Sequence, residues 1–168
     1  DEYRDARFWV IGTGENARYW SEFRDGGFVG ISFAEFTEPL NNLTYDDIYA
    51  RLLEGRNDGS KPTMDTRAAD QFAREMHIGD YVFAKQGRSS LLGFGRVNSD
   101  YRYEGQVPNY RHRHSVEWIK TGNWTLNEDQ RITPKTLTDF TGYPEWISYA
   151  LKLIGLEGEA VPANKLEV

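Results

Sequence analysis

Short apolar runs, each bounded by glycine, asparagine or charged residues, recur along the chain. Runs of this length with turn residues at both ends are typical of β-strands. We predict strands near residues 8–11, 28–33, 80–85, 91–98 and 115–119. Gly93 and Gly95 interrupt the fourth of these runs, which predicts a β-bulge or a tight bend at that point.

Segments with apolar residues at helical spacing lie between these strands. A helix is predicted to start at Glu15 or Asn16 and to continue through Phe23, before a pair of glycines. Thr44, followed closely by two aspartates, predicts an N-capped helix that ends at Gly55. The same spacing predicts three further helical segments: Thr66–Met76, Thr133–Phe140 and Tyr143–Ile154.

This order of elements does not show the regular strand–helix alternation of a parallel α/β sheet. It fits an α+β fold in which a curved, mostly antiparallel β-barrel is flanked by helices. From Gly155 onward the composition shifts to Gly, Glu, Pro and Ala without apolar periodicity. We therefore interpret residues 1–154 as one domain and residues 155–168 as a linker-like tail toward a further domain.

The composition excludes several classes of protein. The 168 residues include no cysteine, so disulfides and thiolate metal sites are excluded. No apolar run approaches the roughly 18 residues of a membrane span, and no signal-peptide pattern is present. We expect a cytoplasmic protein with no membrane partner. The net charge of −6 argues against a general binder of polyanions.

Positive charge is nevertheless concentrated between Gly79 and Lys120, which carries seven Lys or Arg residues against four Asp or Glu in an otherwise acidic chain. Tyrosines alternate with arginines in a polar loop there, a pattern that suits base stacking combined with phosphate neutralisation. We therefore predict nucleic-acid contact. The side chains expected to hold the phosphate backbone are Lys85, Arg88, Arg102, Arg111 and Arg113.

Two motifs invite other interpretations. Residues 12–17, GTGENA, match a dinucleotide-binding fingerprint after a strand, but no second βαβ unit follows, so a turn that requires glycine explains them better. His112 and His114 have a spacing that metal sites use, yet the neighbouring arginines disfavour a cation. No serine or histidine has evident catalytic partners. We predict no catalytic residue, no metal and no cofactor.

Several motifs, in this order along residues 7–146, resemble a known superfamily. They are RFWVIGTGENARYWSEF, GGFVGISF, GDYVFAKQG, LLGFGRVNSDYRY, YRHRHSVEW and KTLTDFT. Together they resemble the EVE-like and YTH-like branch of the PUA superfamily, and above all the N-terminal specificity domains of McrB-type modification-dependent restriction systems.

The resemblance implies a PUA-like fold and a non-catalytic DNA-binding module. Such a module flips a modified base, here expected to be methylated, into an aromatic pocket and targets a McrBC-type restriction complex. The implied partners are DNA with a modified base, an AAA+ GTPase motor domain in the same parent chain and a nuclease subunit. The alternative is a PUA/YTH-like module that reads modified RNA.

The resemblance also indicates candidate pocket residues. Thr13 and Asn16 match the strand–turn that supplies polar contacts to the base edge in YTH domains. This chain has no tryptophan at either cage position of those domains and offers other aromatic residues nearby. The candidate base-pocket residues are Thr13, Asn16, Trp20, Ser32, Phe33, Tyr103, Tyr110 and Trp118.

Overall fold

The computed structural model describes residues 5–33 and 35–156. The strands in these ranges are β1 (Phe8–Gly12), β2 (Phe28–Ile31), β3 (Tyr81–Gln86), β4 (Ser90–Val97), β5 (Arg102–Tyr103), β6 (His112–Thr125) and β7 (Leu137–Asp139). The helices are α1 (Trp20–Gly26), α2 (Tyr45–Glu54), α3 (Thr63–Arg74) and α4 (Pro144–Leu153). Most of the predicted linker-like tail, residues 155–168, lies outside the described residues.

The strands form one curled sheet in the order β2-β6-β4-β3-β1-β7, and the short β5 pairs with β6. Among the described residues β2 and β7 do not pair with each other, so the sheet is an open half-barrel. The α+β class and the curved sheet flanked by helices are confirmed. The sheet is mixed, because β1 and β3 run parallel. A parallel pair requires a long crossover, and here the crossover contains α1, β2, α2 and α3.

Both faces of the sheet are buried. In β1, Trp9 and Ile11 pack into one core together with α1, α2 and α3, whereas Phe8 and Val10 pack into a second core with α4. Successive side chains of a strand point to opposite faces, so a strand buried on both sides needs a continuous apolar run. This requirement explains the uninterrupted FWVI sequence of β1. Within residues 5–33 and 35–156, every helix is too short or too polar to span a lipid bilayer.

The β-bulges predicted from the glycines of β4 are present. The register of β4 against β6 shifts next to Gly93 and again next to Gly95. A Cβ atom at Gly93 would lie 2.5 Å from Cη2 of Trp20. The absence of a side chain lets Trp20 lie against the sheet, where its ring centroid is 4.9 Å from that of Trp118. This contact fixes α1 on the sheet.

The predicted helix after β1 begins later than expected. Asn16 and Ala17 have φ angles of 56° and 55°, so the chain makes a turn before α1 starts at Trp20. By contrast, α2 begins where the sequence predicts. The hydroxyl of Thr44 accepts a hydrogen bond from the backbone N–H of Asp47, and the Asp47 carboxylate accepts one from the N–H of Thr44.

Two predictions about the C-terminal half are wrong. Residues 133–140 are not helical, because Leu137–Asp139 pair with the open edge of β1 as β7. A proline and three threonines in this segment disfavour helix, and the β1 edge supplies backbone hydrogen-bond partners. β6 runs to Thr125 rather than ending near residue 119. Its second half is largely exposed, so it carries little of the apolar alternation that reveals a strand.

Replacing Gly93 with alanine is expected to lower the free energy of unfolding by about 1–3 kcal/mol, because the added methyl group overlaps the Trp20 ring and displaces α1. Urea unfolding followed by tryptophan fluorescence measures the loss. Gly142→Ala is the matched control, since a Cβ atom there meets no heavy atom within 4 Å. Equal stability of the two variants would contradict this packing.

Candidate functional site

A cleft of about 310 Å³ opens between the end of β2 and the loop that leads into β6. Its size lies at the lower end of the range for small-molecule sites. Its lining residues are Ser32, Phe33, Phe36, Thr37, Pro108, Asn109, Tyr110, Arg111 and His112. Aromatic rings, hydroxyl groups, an amide and a guanidinium therefore meet in one depression at the surface.

A hydrogen-bond chain joins the two walls of the cleft. The N–H of Leu40 lies 2.9 Å from the hydroxyl oxygen of Tyr101, which lies 2.6 Å from Nδ1 of His112. Nε2 of His112 lies 3.1 Å from the carbonyl oxygen of Phe36. The hydroxyl accepts from Leu40 and donates to Nδ1, and the proton on Nε2 is donated to Phe36. A neutral imidazole thus satisfies every contact.

The pKa values of these groups agree with that assignment. Burial raises the pKa of Tyr101 to about 12, so its hydroxyl keeps the proton that it donates. Burial lowers the pKa of His112, which favours the neutral ring. Burial also lowers the pKa of His114. Its Nδ1 and Nε2 atoms lie 3.0 Å and 2.7 Å from the carbonyl oxygens of Ser99 and Phe72, and a neutral ring, which has one N–H, donates to one of the two. Both histidines are occupied by contacts within the protein.

Two arginines hold the loop that forms one wall. Nε of Arg113 donates to the carbonyl oxygen of Tyr110 at 2.6 Å, and its guanidinium lies 3.8 Å from the centroid of the Phe28 ring. Nε of Arg111 donates to the carbonyl oxygen of Val107 at 2.9 Å. The loop is therefore fixed through its backbone.

The predicted phosphate-binding residues lie in two regions: Arg102 pairs with Arg113 across β5 and β6, whereas Lys85 and Arg88 bond to the segment at residues 132–133. Lys85 is buried, and its ammonium lies 3.2 Å from the carbonyl oxygen of Thr133. Arg88 donates to the carbonyl oxygen of Ile132, and Arg102 forms an ion pair with Glu104. Of the five predicted cations, Arg111 lines the cleft. Within the described residues no group of three or more His, Cys, Asp or Glu residues could hold a metal ion.

Three of the predicted pocket residues, Ser32, Phe33 and Tyr110, line the cleft together. Thr13 is buried, and its hydroxyl donates to the carbonyl oxygen of Lys85 at 2.9 Å. Asn16 is exposed in the turn after β1.

The remaining predicted aromatics have other contacts. Trp20 packs against Trp118, whose indole N–H donates to the carbonyl oxygen of Phe23 at 2.9 Å. Tyr103 packs against the ring of His112, with the centroids 5.2 Å apart. None of these three residues is among the lining residues of the cleft.

Phe36, Thr37 and Asn109 line the cleft without having been predicted. Both segments that contain them are irregular, so neither periodicity nor a known motif marks them. An aromatic residue in a polar segment is the signal that could have singled out Phe36, as it did the tyrosines of the later loop.

A family model described as a domain of unknown function, DUF8426, matches residues 9–141. The chain belongs to the DUF8426 family. No curated protein matches the DUF8426 chain in sequence.

Among solved structures, the DUF8426 chain is similar to the YTH domain of Zygosaccharomyces rouxii MRB1, which was crystallised in complex with N6-methyladenosine RNA. The identity is 15% and the TM-score 0.47, over 89% of this chain and 86% of that one. A crystal structure of the Mmi1 YTH domain gives 13% identity and a TM-score of 0.45, over 88% and 92% of the two chains.

Replacing Tyr101 with phenylalanine is expected to lower the free energy of unfolding by about 1–3 kcal/mol, because the N–H of Leu40 and Nδ1 of His112 lose their partner. Urea unfolding checks this. Tyr143→Phe is the matched control, since the Tyr143 side chain is 61% exposed. A Tyr101→Phe variant as stable as the control would show that the hydrogen-bond chain does not support the cleft.

Stability is also expected to fall as the pH drops below about 6.5, the ordinary pKa of an unfolded histidine. The folded-state pKa values of His112 and His114 are lowered, so the unfolded chain binds more protons in this range and protonation favours unfolding. Above this pH the two histidines add no pH dependence. Urea midpoints at neutral and mildly acidic pH, together with NMR titration of the imidazole resonances, test the sign. A midpoint that rises toward acid would contradict it.

Proposed function

We propose that this domain is a non-catalytic reader of a modified base in nucleic acid, and that it takes one base, extruded from its stack, into the cleft. The observation that supports this proposal is the presence of two aromatic residues, Phe33 and Tyr110, in the lining of one cleft. Arg111 and the exposed Ser32 lie beside them. The combination supplies ring faces for the base, a cation for its phosphate and a hydroxyl for its edge.

The free energy gained by stacking can offset the cost of extruding a base into such a site. Extruding a base from a duplex costs a few kcal/mol. Stacking on an aromatic side chain contributes about 1–3 kcal/mol per base, so two rings can offset the extrusion. A base that remains stacked hides both of its faces, and a protein that encloses a base must therefore remove it from the stack.

Recognition of a modification requires more than stacking. A methyl group adds only about 0.8 kcal/mol by burial, and every base has a ring face that can stack. Discrimination must come from a cleft that an unmodified base underfills, or from a hydrogen-bonding group that a wrong base leaves unpaired. Ser32, Thr37 and Asn109 are the polar lining residues available for this role.

A more specific proposal concerns the type of nucleic acid that is bound and the system in which the domain acts. We propose DNA carrying a methylated base, read by a specificity module of a McrB-type restriction system. Its partners would be an AAA+ GTPase motor domain in the same parent chain and a nuclease subunit, in the cytoplasm. The support is the series of sequence motifs between residues 7 and 146. RNA is the other candidate polymer, and its 2′-hydroxyl groups provide the means to distinguish the two.

A binding panel tests the proposal. It contains matched duplexes with methyladenine, methylcytosine, hydroxymethylcytosine or no modification, and single-stranded RNA with or without methyladenosine. One modified member is expected to bind more tightly than its unmodified match. If no member binds, or if none is preferred over its unmodified match, the proposal is wrong.

Replacing Phe33 with alanine should weaken binding of the preferred modified ligand by about 1–3 kcal/mol, roughly 5- to 150-fold, because one stacking face is lost. Weak binding of the unmodified match should change little. Tyr143→Ala is the control, since Tyr143 is exposed and precedes α4, which packs in the second core. Identical affinities of the Phe33 and Tyr143 variants would place the bound base outside the cleft.

A further inference from the structure

The side chain of Tyr110 fills a slot at the inner side of the cleft. Its ring centroid lies 4.6 Å from that of Tyr19 and 5.2 Å from that of Phe23. Its hydroxyl oxygen reaches the turn after β1, where a Cβ atom at Gly14 would lie 3.4 Å away. The slot thus has aromatic walls and extends from β2 to this turn.

The slot exists because two of its boundaries are glycines. A Cβ atom at Gly30 would lie 3.1 Å from Cβ of Tyr110 and 3.0 Å from the carbonyl oxygen of His112. At Gly14, φ is 87° and a Cβ atom would lie 2.8 Å from Cδ2 of Tyr19. A side chain at Gly30 would intrude on the Tyr110 ring, and one at Gly14 would intrude on the Tyr19 ring that forms a wall of the slot.

The backbone that delivers Tyr110 into the slot is strained. Its φ angle is 52°, and Asn16 and Ala17, in the turn that the Tyr110 hydroxyl approaches, also have positive φ. Across residues 5–33 and 35–156 these are the only three non-glycine residues with positive φ. L-residues seldom adopt this conformation, and such strain clusters at ligand sites and switch regions.

The loop is anchored through its backbone and not through the side chain of Tyr110. Arg113 holds the carbonyl oxygens of both Tyr110 and Asn109, at 2.6 Å and 3.3 Å. The Tyr110 ring can therefore leave the slot by rotation about its side-chain torsions while the loop stays in place. Its outer side already borders the open cleft.

We propose that this slot is the seat of the ligand's aromatic ring, and that Tyr110 occupies it in the absence of ligand and exchanges with an incoming nucleobase. The inference rests on the proposed function and identifies the part of the site that receives the base. A planar, uncharged heteroaromatic ring replaces the contacts of the phenol with Tyr19 and Phe23. The displaced Tyr110 ring moves into the open cleft, where it and Phe33 cover the outer side of the base.

A test without nucleic acid uses p-cresol, the tyrosine side chain as a free molecule. Tyr110→Ala vacates the slot, so p-cresol should raise the Tm of this variant in a concentration-dependent manner. It should leave the wild type and the matched variant Tyr143→Ala unchanged. If p-cresol stabilises no variant, or all of them equally, the slot is not a ring-binding site and the inference is overturned.

A second measurement uses the wild-type fold and remains valid if Tyr110→Ala does not fold. Fluorotyrosine is incorporated, and the 19F resonance of Tyr110 is assigned by its loss in Tyr110→Phe. On saturation with the tightest-binding member of the oligonucleotide panel, this resonance should move from a buried to a solvent-exposed position, whereas that of Tyr143 should not move.

The outcomes separate this inference from the proposed function. Binding with an unchanged Tyr110 resonance leaves the reader function intact and overturns the exchange. Absence of binding by every member of the panel overturns both. Binding accompanied by release of the Tyr110 ring supports both.

Discussion

Burial of both faces of one curled sheet is the constraint from which the remaining structure follows. One face packs with α1, α2 and α3, and the other packs with α4. Helices can cover a bulged, curling sheet only where its backbone allows close approach, and Gly93 allows this for Trp20. A depression lies where β2 ends and the loop before β6 turns back. That depression is the candidate site.

The site is held by buried polar contacts rather than by apolar packing alone. The Leu40–Tyr101–His112–Phe36 chain links partners that lie far apart in sequence, and each donor in it has an acceptor. Buried polar groups that are fully paired favour a single geometry, whereas an unpaired one is costly. Arg113 acts similarly on the opposite wall through the backbone of Asn109 and Tyr110. These hydrogen bonds together form a frame around the cleft.

Short sequence patterns predicted those elements of the fold that depend mainly on residues close together in the sequence. Apolar runs located the main strands, the Thr44–Asp47 pair located the start of α2, and the glycines located the bulges of β4. The edge strand β7 could not be predicted in this way, because its stability comes from pairing with the edge of β1. The exposed end of β6 lacks the alternation on which strand prediction depends.

The site was harder to predict because its members meet through long-range contacts. Tyr101 and Leu40 lie 61 positions apart, and His112 and Phe36 lie 76 apart. Charge concentrated along the sequence is also dispersed in space, since Lys85 bonds to the loop at Thr133 whereas Arg111 borders the cleft. The sequence indicated aromatic residues for a pocket, but only the fold distinguishes Tyr110, which lines the cleft, from Trp20, whose ring packs between α1 and the sheet.

In the proposed function, one base leaves its stack and enters the cleft. Aminopurine fluorescence can detect this step when the fluorescent base is placed beside or opposite the modified base of the preferred duplex. Stacking quenches aminopurine, so extrusion of its neighbour or partner is predicted to raise the emission as the protein saturates the duplex. Emission that stays quenched at saturation would show that the base remains stacked and would contradict the account.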